Sequence, residues 1–251
     1  MKERYFVNSL HTSTKRDYKS RVMNVDKAEV SELAIQWGFD YWDGDRQFGY
    51  GGMRYDGRWL PVAEEIAAHY GLKAGDRILD IGCGEGELIE QLEKNTNAKT
   101  HGIEINSQLA KKAISKGYSV VQGDAETDLS QYSNKSFDYV ILSQTLQAMI
   151  KPKNALLELL RIGGKAIVSF PNFGHWKIRT QLLFKGKMPV TNILPYEWHD
   201  TPNIHFFTIK DFQELCEELN IVIEKSIGLT SKGKQFNINK NTFGTNFITS
   251  E

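Results

Sequence analysis

Apolar and polar positions in this chain switch repeatedly between two periods. Ile78, Leu79 and Ile81 form a short apolar run that predicts a buried strand over 77–81, and Leu88, Ile89 and Leu92 then recur at helical spacing. The same switch predicts a strand over 99–105, a helix from Ser107, and strands over 118–122 and 137–143. A helix from Pro152 to Ile162 follows, then a Gly163-Gly164 break and a strand over 165–170. Thr208-Ile-Lys-Asp211 reads as a capping box opening a last helix whose apolar side carries Phe212, Leu215, Cys216 and Leu219. Ile221 to Ile227 and Asn246 to Thr249 would close the sheet as an antiparallel edge. Strands alternating with helices predict an α/β fold with a doubly wound, mostly parallel sheet.

The N-terminal part is patterned differently. Val30, Leu33, Ala34 and Trp37 make a helical stripe begun near Asp26 and ended by Gly38. Residues 37–59 then hold eight aromatics in 23 positions, interleaved with Gly49, Gly51, Gly52 and Gly57. That density is well above the 11% of the whole chain and predicts an ordered aromatic loop, which either folds over a neighbouring cleft and excludes water or forms a hydrophobic cap without ligand contact. Pro61 suits a first helical turn, and Gly71 ends that helix. The division expected is a cap segment over 1–72 and an α/β domain over 73–251.

Composition narrows the function classes. The 251 residues, 40% of them hydrophobic, suffice for a sizeable core. Thirty-one basic residues against 31 acidic ones leave no bulk attraction to nucleic acid. Two cysteines, Cys83 and Cys216, argue for a reducing compartment and against a disulfide framework. No apolar run approaches the ~18 residues of a membrane span, and residues 1–4 open no signal-peptide core. A cytoplasmic protein with no membrane partner is the expectation. Neither H-x-x-x-H nor C-x-x-C occurs, so no metal is expected.

The candidate chemistry lies where the first strand ends. Asp80-Ile-Gly82-Cys83-Gly84-Glu-Gly86-Glu87 is a strand–glycine turn–helix junction, the place where a nucleotide-like ligand lies in such sheets. A dinucleotide fingerprint starting at Gly82 needs its third glycine at position 87, which is Glu87; the third glycine comes early, at Gly86. Glu85 and Glu87 would also repel a pyrophosphate at the helix N-terminus. A ligand with adenosine, a cationic centre and no phosphate escapes that repulsion, and S-adenosylmethionine fits. Glu104, 24 positions after Asp80, can accept both ribose hydroxyls. Asp124, in Gly123-Asp124-Ala125, can bond the adenine amino group or cap the helix that follows. Asp138 suits a structural role, satisfying backbone donors beside its strand, and Cys83 that of a small reduced residue in the turn.

These ordered motifs, D-x-G-x-G-x-G, the acid after strand two, G-D-A after strand three and F-D-x-V on strand four, resemble the class I S-adenosylmethionine-dependent methyltransferases. The resemblance implies a Rossmann-like sheet. It also implies a cofactor site drawn from Asp80, Gly82, Cys83, Gly84, Gly86, Glu104, Ile105, Asp124, Ala125 and Ser143. From about Asp76 to Asn220 the chain is similar to MetW-type methionine biosynthesis proteins. This similarity rests on Leu142-Ser-Gln-Thr-Leu-Gln147, Val168 to Trp176, Met188-Pro-Val-Thr191 and Leu194 to His205. Members of that family act alongside homoserine O-acetyltransferase. The preceding extension, with Asp40 to Asp45, Gly49-Tyr-Gly-Gly52 and Tyr55 to Trp59, resembles the N-terminal part of methyltransferases from surface-polysaccharide clusters.

Acceptor-side candidates cluster later, at Tyr196, Trp198, His199, Asp200 and His205. His199 beside Asp200 can form a tuned base, or both can cap their loop. Tyr196 and His199 are the catalytic candidates. Lys177, Arg179, Lys185 and Lys187 form an acid-free basic stretch that faces either an anionic acceptor or solvent. Arg54 or Arg58 can pair with the cofactor's carboxylate. The function expected is a methyltransferase for a small metabolite or sugar-linked acceptor. The alternative is a cofactor-binding accessory protein that supports homoserine O-acetyltransferase.

Overall fold

A computed structural model describes residues 59–191, 197–199, 201, 203–229, 235–236 and 245–250. The helical stripe of residues 30–37, the aromatic loop up to Arg58, Tyr196 and Asp200 lie outside the described residues.

Helix α1 (Trp59–Tyr70) leads into β1 (Arg77–Ile81), α2 (Glu87–Thr96), β2 (Lys99–Glu104), α3 (Ser107–Ser115) and β3 (Val120–Gln122). A short turn α4 (Ala125–Asp128), β4 (Phe137–Ser143), α5 (Pro152–Ile162) and β5 (Gly163–Phe170) follow. Beyond these come α6 (Trp176–Lys185), α7 (Ile209–Glu218), β6 (Ile223–Leu229), β7 (Gln235–Phe236) and β8 (Thr245–Ser250). The sheet order is β3-β2-β1-β4-β5-β8-β6-β7. The first five strands are parallel, and β8 runs antiparallel between β5 and β6. The last two expected segments therefore pair antiparallel as the sequence suggested, but the later one is inserted beside β5 rather than left at the edge.

Strand periodicity builds the two faces. Leu79, Ile81, Val140, Leu142, Ala166, Val168 and Phe170 point to one side, against Leu156, Leu159 and Ile162 of α5 and Phe212 and Cys216 of α7. Ile78, Ile141 and Ile167 point to the other, against Val62, Ala63 and Ile66 of α1 and Leu88 and Leu92 of α2. Residues 59–70, counted with the cap on sequence grounds, thus pack on the sheet as α1.

Several local expectations meet their physical cause. Thr208 Oγ1 accepts the Asp211 N–H while the Asp211 carboxylate accepts the Thr208 N–H, closing the capping box. Asp138 accepts the Arg77 N–H (2.8 Å) and pairs with the Arg77 guanidinium, tying β4 to the start of β1. Gly163 and Gly164, expected as a break, belong to β5. A Cβ on Gly163 would sit 2.6 Å from Val140 Cγ2, and one on Gly164 2.8 Å from the Asp138 carbonyl oxygen. The pair therefore lets two strands approach rather than turning the chain. β3 is shorter than expected, beginning at Val120.

Candidate active site

Strands β1, β4 and β5 are parallel, so their carboxyl ends share one edge of the sheet. The glycine turn crosses that edge with Gly82, Gly84 and Gly86 at φ of 73°, 57° and 83°, a left-handed path that side-chain-bearing residues resist. The Gly82 N–H donates to the Ile103 carbonyl (2.8 Å), which binds the turn to the end of β2.

Glu104 completes this side. Its Oε2 accepts the Gly84 N–H (2.9 Å) and its Oε1 the Asn106 N–H (2.8 Å), although the residue is only 5% exposed. Burial pushes its carboxyl pKa up, and the backbone donors of Asn106, Gly84 and Ile105 oppose that push. Asp80 is buried one strand away, and desolvation, with Glu104 and then Glu87 as like charges, raises its pKa to about 8. Cys83 packs as a small apolar group with Ile89 and Val120, and that burial pushes its thiol pKa up.

Glu85 behaves otherwise than expected. Burial acts to raise its pKa, but Lys112 of α3 (2.6 Å) and Lys116, which caps α3 (3.1 Å), pair with it and leave the pKa lowered. Its charge is neutralised locally, and Lys116 also lies 3.9 Å from Glu87, so Glu104 is the carboxylate of the turn that no lysine faces among the described ion pairs. Asp124 caps α4, with Oδ1 accepting the Glu126 N–H (2.8 Å), which is the helix-cap alternative left open above. Ile105 is 54% exposed beside Glu104, an apolar surface suited to a flat ring, whereas Ala125 is partly buried against the core.

Around the end of β4 the geometry is less regular. Ser143 Oγ lies 3.0 Å from Ser169 Oγ, and Gln144 adopts φ of 54° without being glycine. The Gln144 N–H donates to the Ser169 carbonyl (2.9 Å), and Thr145 Oγ1 donates to the Ser143 carbonyl. The Gln147 carbonyl accepts the N–H groups of Ile204 (2.9 Å) and His205 (3.0 Å), bringing the distant Asn203–Phe207 segment over the strand ends. Two buried atoms there, Gln147 Oε1 and His205 Nε2, have no hydrogen-bond partner among the described residues. The strings around Gln147 and His205 were visible in the sequence, but nothing local said that they meet.

His199 lies on an exposed turn with its ring 5.4 Å from the Trp198 ring, away from any partner that would make it a tuned base among the described residues. Its expected companions Tyr196 and Asp200, and the carboxylate-pairing candidates Arg54 and Arg58, lie outside the described residues. Thus Asp80, the three glycines, Cys83 and Glu104 come together, and Ile105 and Asp124 stand beside them.

Sheet order, glycine turn and the acid ending β2 define the class I, Rossmann-like methyltransferase fold. Within that class, residues 64–250 match the family described as "Methionine biosynthesis protein MetW", and the chain belongs to that family. It is 33% identical over 165 residues to the bifunctional methionine biosynthesis protein MetXA/MetW of Rhodopirellula baltica, covering 62% of this chain but 26% of that protein. A ubiquinone biosynthesis O-methyltransferase of Nitrosococcus oceani is 27% identical over 88% of this chain and 96% of its own. Among solved structures, a protein of Pyrococcus horikoshii superposes with a TM-score of 0.58 at 16% identity, over 85% of this chain and 95% of that one. A S-adenosylmethionine-dependent methyltransferase from Archaeoglobus fulgidus gives 0.56 at 18% identity, over 75% and 92%.

Proposed function

We propose that this protein is an S-adenosylmethionine-dependent methyltransferase acting on a small metabolite or a sugar-linked acceptor. The observation that carries this reading is the Glu104 carboxylate, held by the Gly84 and Asn106 N–H groups at the end of β2. A carboxylate has about four acceptor sites, so with the Gly84, Asn106 and Ile105 donors in place it can still receive a ribose hydroxyl. Ile105 offers the adenine an apolar surface, and the left-handed glycine turn lets the ligand approach the backbone. Glu104 supplies negative charge beside the turn, which favours a cation over a pyrophosphate.

The bound cofactor would supply an electrophilic methyl group on a sulfonium. This chain's residues then have to hold it, align the acceptor and keep water out. On the acceptor side, Gln147 and His205 offer buried polar atoms for orienting an incoming group. The names of the relatives support methyl transfer without naming an acceptor for this chain.

A second reading keeps cofactor binding and makes the protein an accessory to homoserine O-acetyltransferase. The Rhodopirellula relative, which joins the MetXA and MetW names in one protein, supports it. Calorimetry and turnover separate the possibilities. The methyltransferase reading expects binding of S-adenosylhomocysteine, no binding of NAD, and release of S-adenosylhomocysteine when labelled cofactor meets a cell metabolite extract. Tight NAD binding would overturn the cofactor assignment. Absent turnover with every extract fraction, together with stable co-purification with homoserine O-acetyltransferase and a rise in that enzyme's activity, would favour the accessory role.

A further inference from the structure

Helix α6 leaves the sheet six residues after the end of β5, on the same edge as the glycine turn. It is anchored on the protein by Ile178, buried against Phe173. At ~100° per residue, Trp176 and Leu183 point ~140–160° away from Ile178, and Phe184 ~120° away on the other side. All three lie on the outer face, with Leu183 76% and Phe184 80% exposed. Met188, just past the helix, is exposed as well. Single exposed apolar residues need no explanation, but a ridge of large ones does.

The charge around this ridge is one-sided. Lys177 and Arg179 flank it on opposite sides, and Lys185 and Lys187 follow. No acidic residue occurs anywhere from position 159 to 196, in a chain whose total charge is zero. None of these four cations is in an ion pair among the described residues. Lys177 Nζ lies 5.7 Å from the centre of the Trp176 ring instead. An apolar ridge edged by cations, with a tryptophan at one end, matches the chemistry of a bilayer interface, where side chains enter the acyl boundary and lysines meet anionic headgroups.

We propose that α6 docks this protein onto an anionic lipid surface. The expectation of no membrane partner came from the lack of a long apolar run, which a helix lying in the interface does not need. Docking stands independently of methyl transfer. Only its corollary, that the acceptor is lipid-borne or amphipathic and reaches the strand ends from the bilayer, rests on the reading given above.

Co-sedimentation of the full chain with vesicles tests the docking without cofactor or acceptor. Binding is expected to phosphatidylglycerol–phosphatidylcholine vesicles, weakening with salt, and not to phosphatidylcholine alone. Lys177→Gln and Lys187→Gln should each weaken it about fivefold. A Leu183→Glu, Phe184→Glu double variant should lose it while still binding S-adenosylhomocysteine, which shows that it has folded. Equal sedimentation of wild type and double variant would overturn the proposal. So would failure to bind, whether the wild type proves to be a dimer that the double variant dissolves, giving the face to a second copy, or protects residues 176–188 from hydrogen exchange as a free monomer.

Discussion

The two halves of the strand-end edge are built in different ways. On the cofactor half, from β1 to β3, the turn, its glycines and Glu104 are tied by hydrogen bonds among residues close in sequence or on adjacent strands, and the Glu104 carboxylate has backbone partners at both oxygens. On the acceptor half, after β4, Gln144 takes a left-handed path, Gln147 Oε1 and His205 Nε2 are buried without partners among the described residues, and the Gln147 carbonyl bonds to residues nearly sixty positions away. A half whose polar groups are satisfied internally is pre-organised for one ligand. A half that leaves buried polar atoms unmatched stores a demand that a second ligand can meet. The halves touch where a Cβ on Gly82 would come within 2.9 Å of Thr145 Oγ1.

The strongest way to break this contrast is Glu104→Ala. Losing a charged hydrogen-bond acceptor should weaken S-adenosylhomocysteine binding by roughly 1.5–3 kcal/mol, measured by calorimetry. Unchanged affinity would remove the cofactor half from the site.

Asp80→Asn tests the electrostatics of the same half. With its pKa raised from 3.8 to about 8, the folded chain keeps a proton that the unfolded chain releases in that interval. The stability from this group is complete below the lower value and is lost as pH rises through the upper one. The variant should therefore be more stable than wild type at pH 8, with the gap narrowing towards pH 4 by up to about 1.4 kcal/mol per pH unit. Denaturant melts at several pH values check this, and a constant gap would show that Asp80 is ionised in the fold.

Gln147→Leu sharpens the other half. It removes one donor bond to the Gln144 carbonyl together with the unpaired Oε1, so stability should change by no more than about 1 kcal/mol. Cofactor affinity should hold while turnover on a metabolite extract falls. A stability loss above about 3 kcal/mol would make Gln147 a structural residue instead. The smallest effect is expected from Lys112→Gln, because Lys116 also pairs with Glu85 and the Lys112 side chain is half-exposed. A cost of at most about 0.5 kcal/mol in a thermal melt is expected, and a large loss would show that the pair organises the turn.

Most of the cofactor half was legible because its signals are local. The period change at Ile81–Leu88, the glycine spacing and an acid at the end of the next strand each lie within one supersecondary unit. Asp138 was legible as a carboxylate serving a backbone donor, but its partner, both the N–H and the guanidinium of Arg77, lies 61 positions away and only the sheet order reveals it. Asp124 stayed ambiguous, since a cap and a ligand contact ask for the same residue type in the same place, and the structure shows the cap.

The sequence by itself determined strands β1, β2, β4 and β5, helices α1, α2, α3, α5 and α7, and the turn that only glycine follows easily, because these depend on periodicity and on backbone sterics at single positions. Only the tertiary structure decided that Gly163 and Gly164 extend β5, that β8 enters beside it, that Glu85 is neutralised by Lys112 and Lys116, and that Gln147 meets His205. Those outcomes are set by close approach and desolvation between segments far apart in the chain, and neither leaves a periodic trace in the residues concerned.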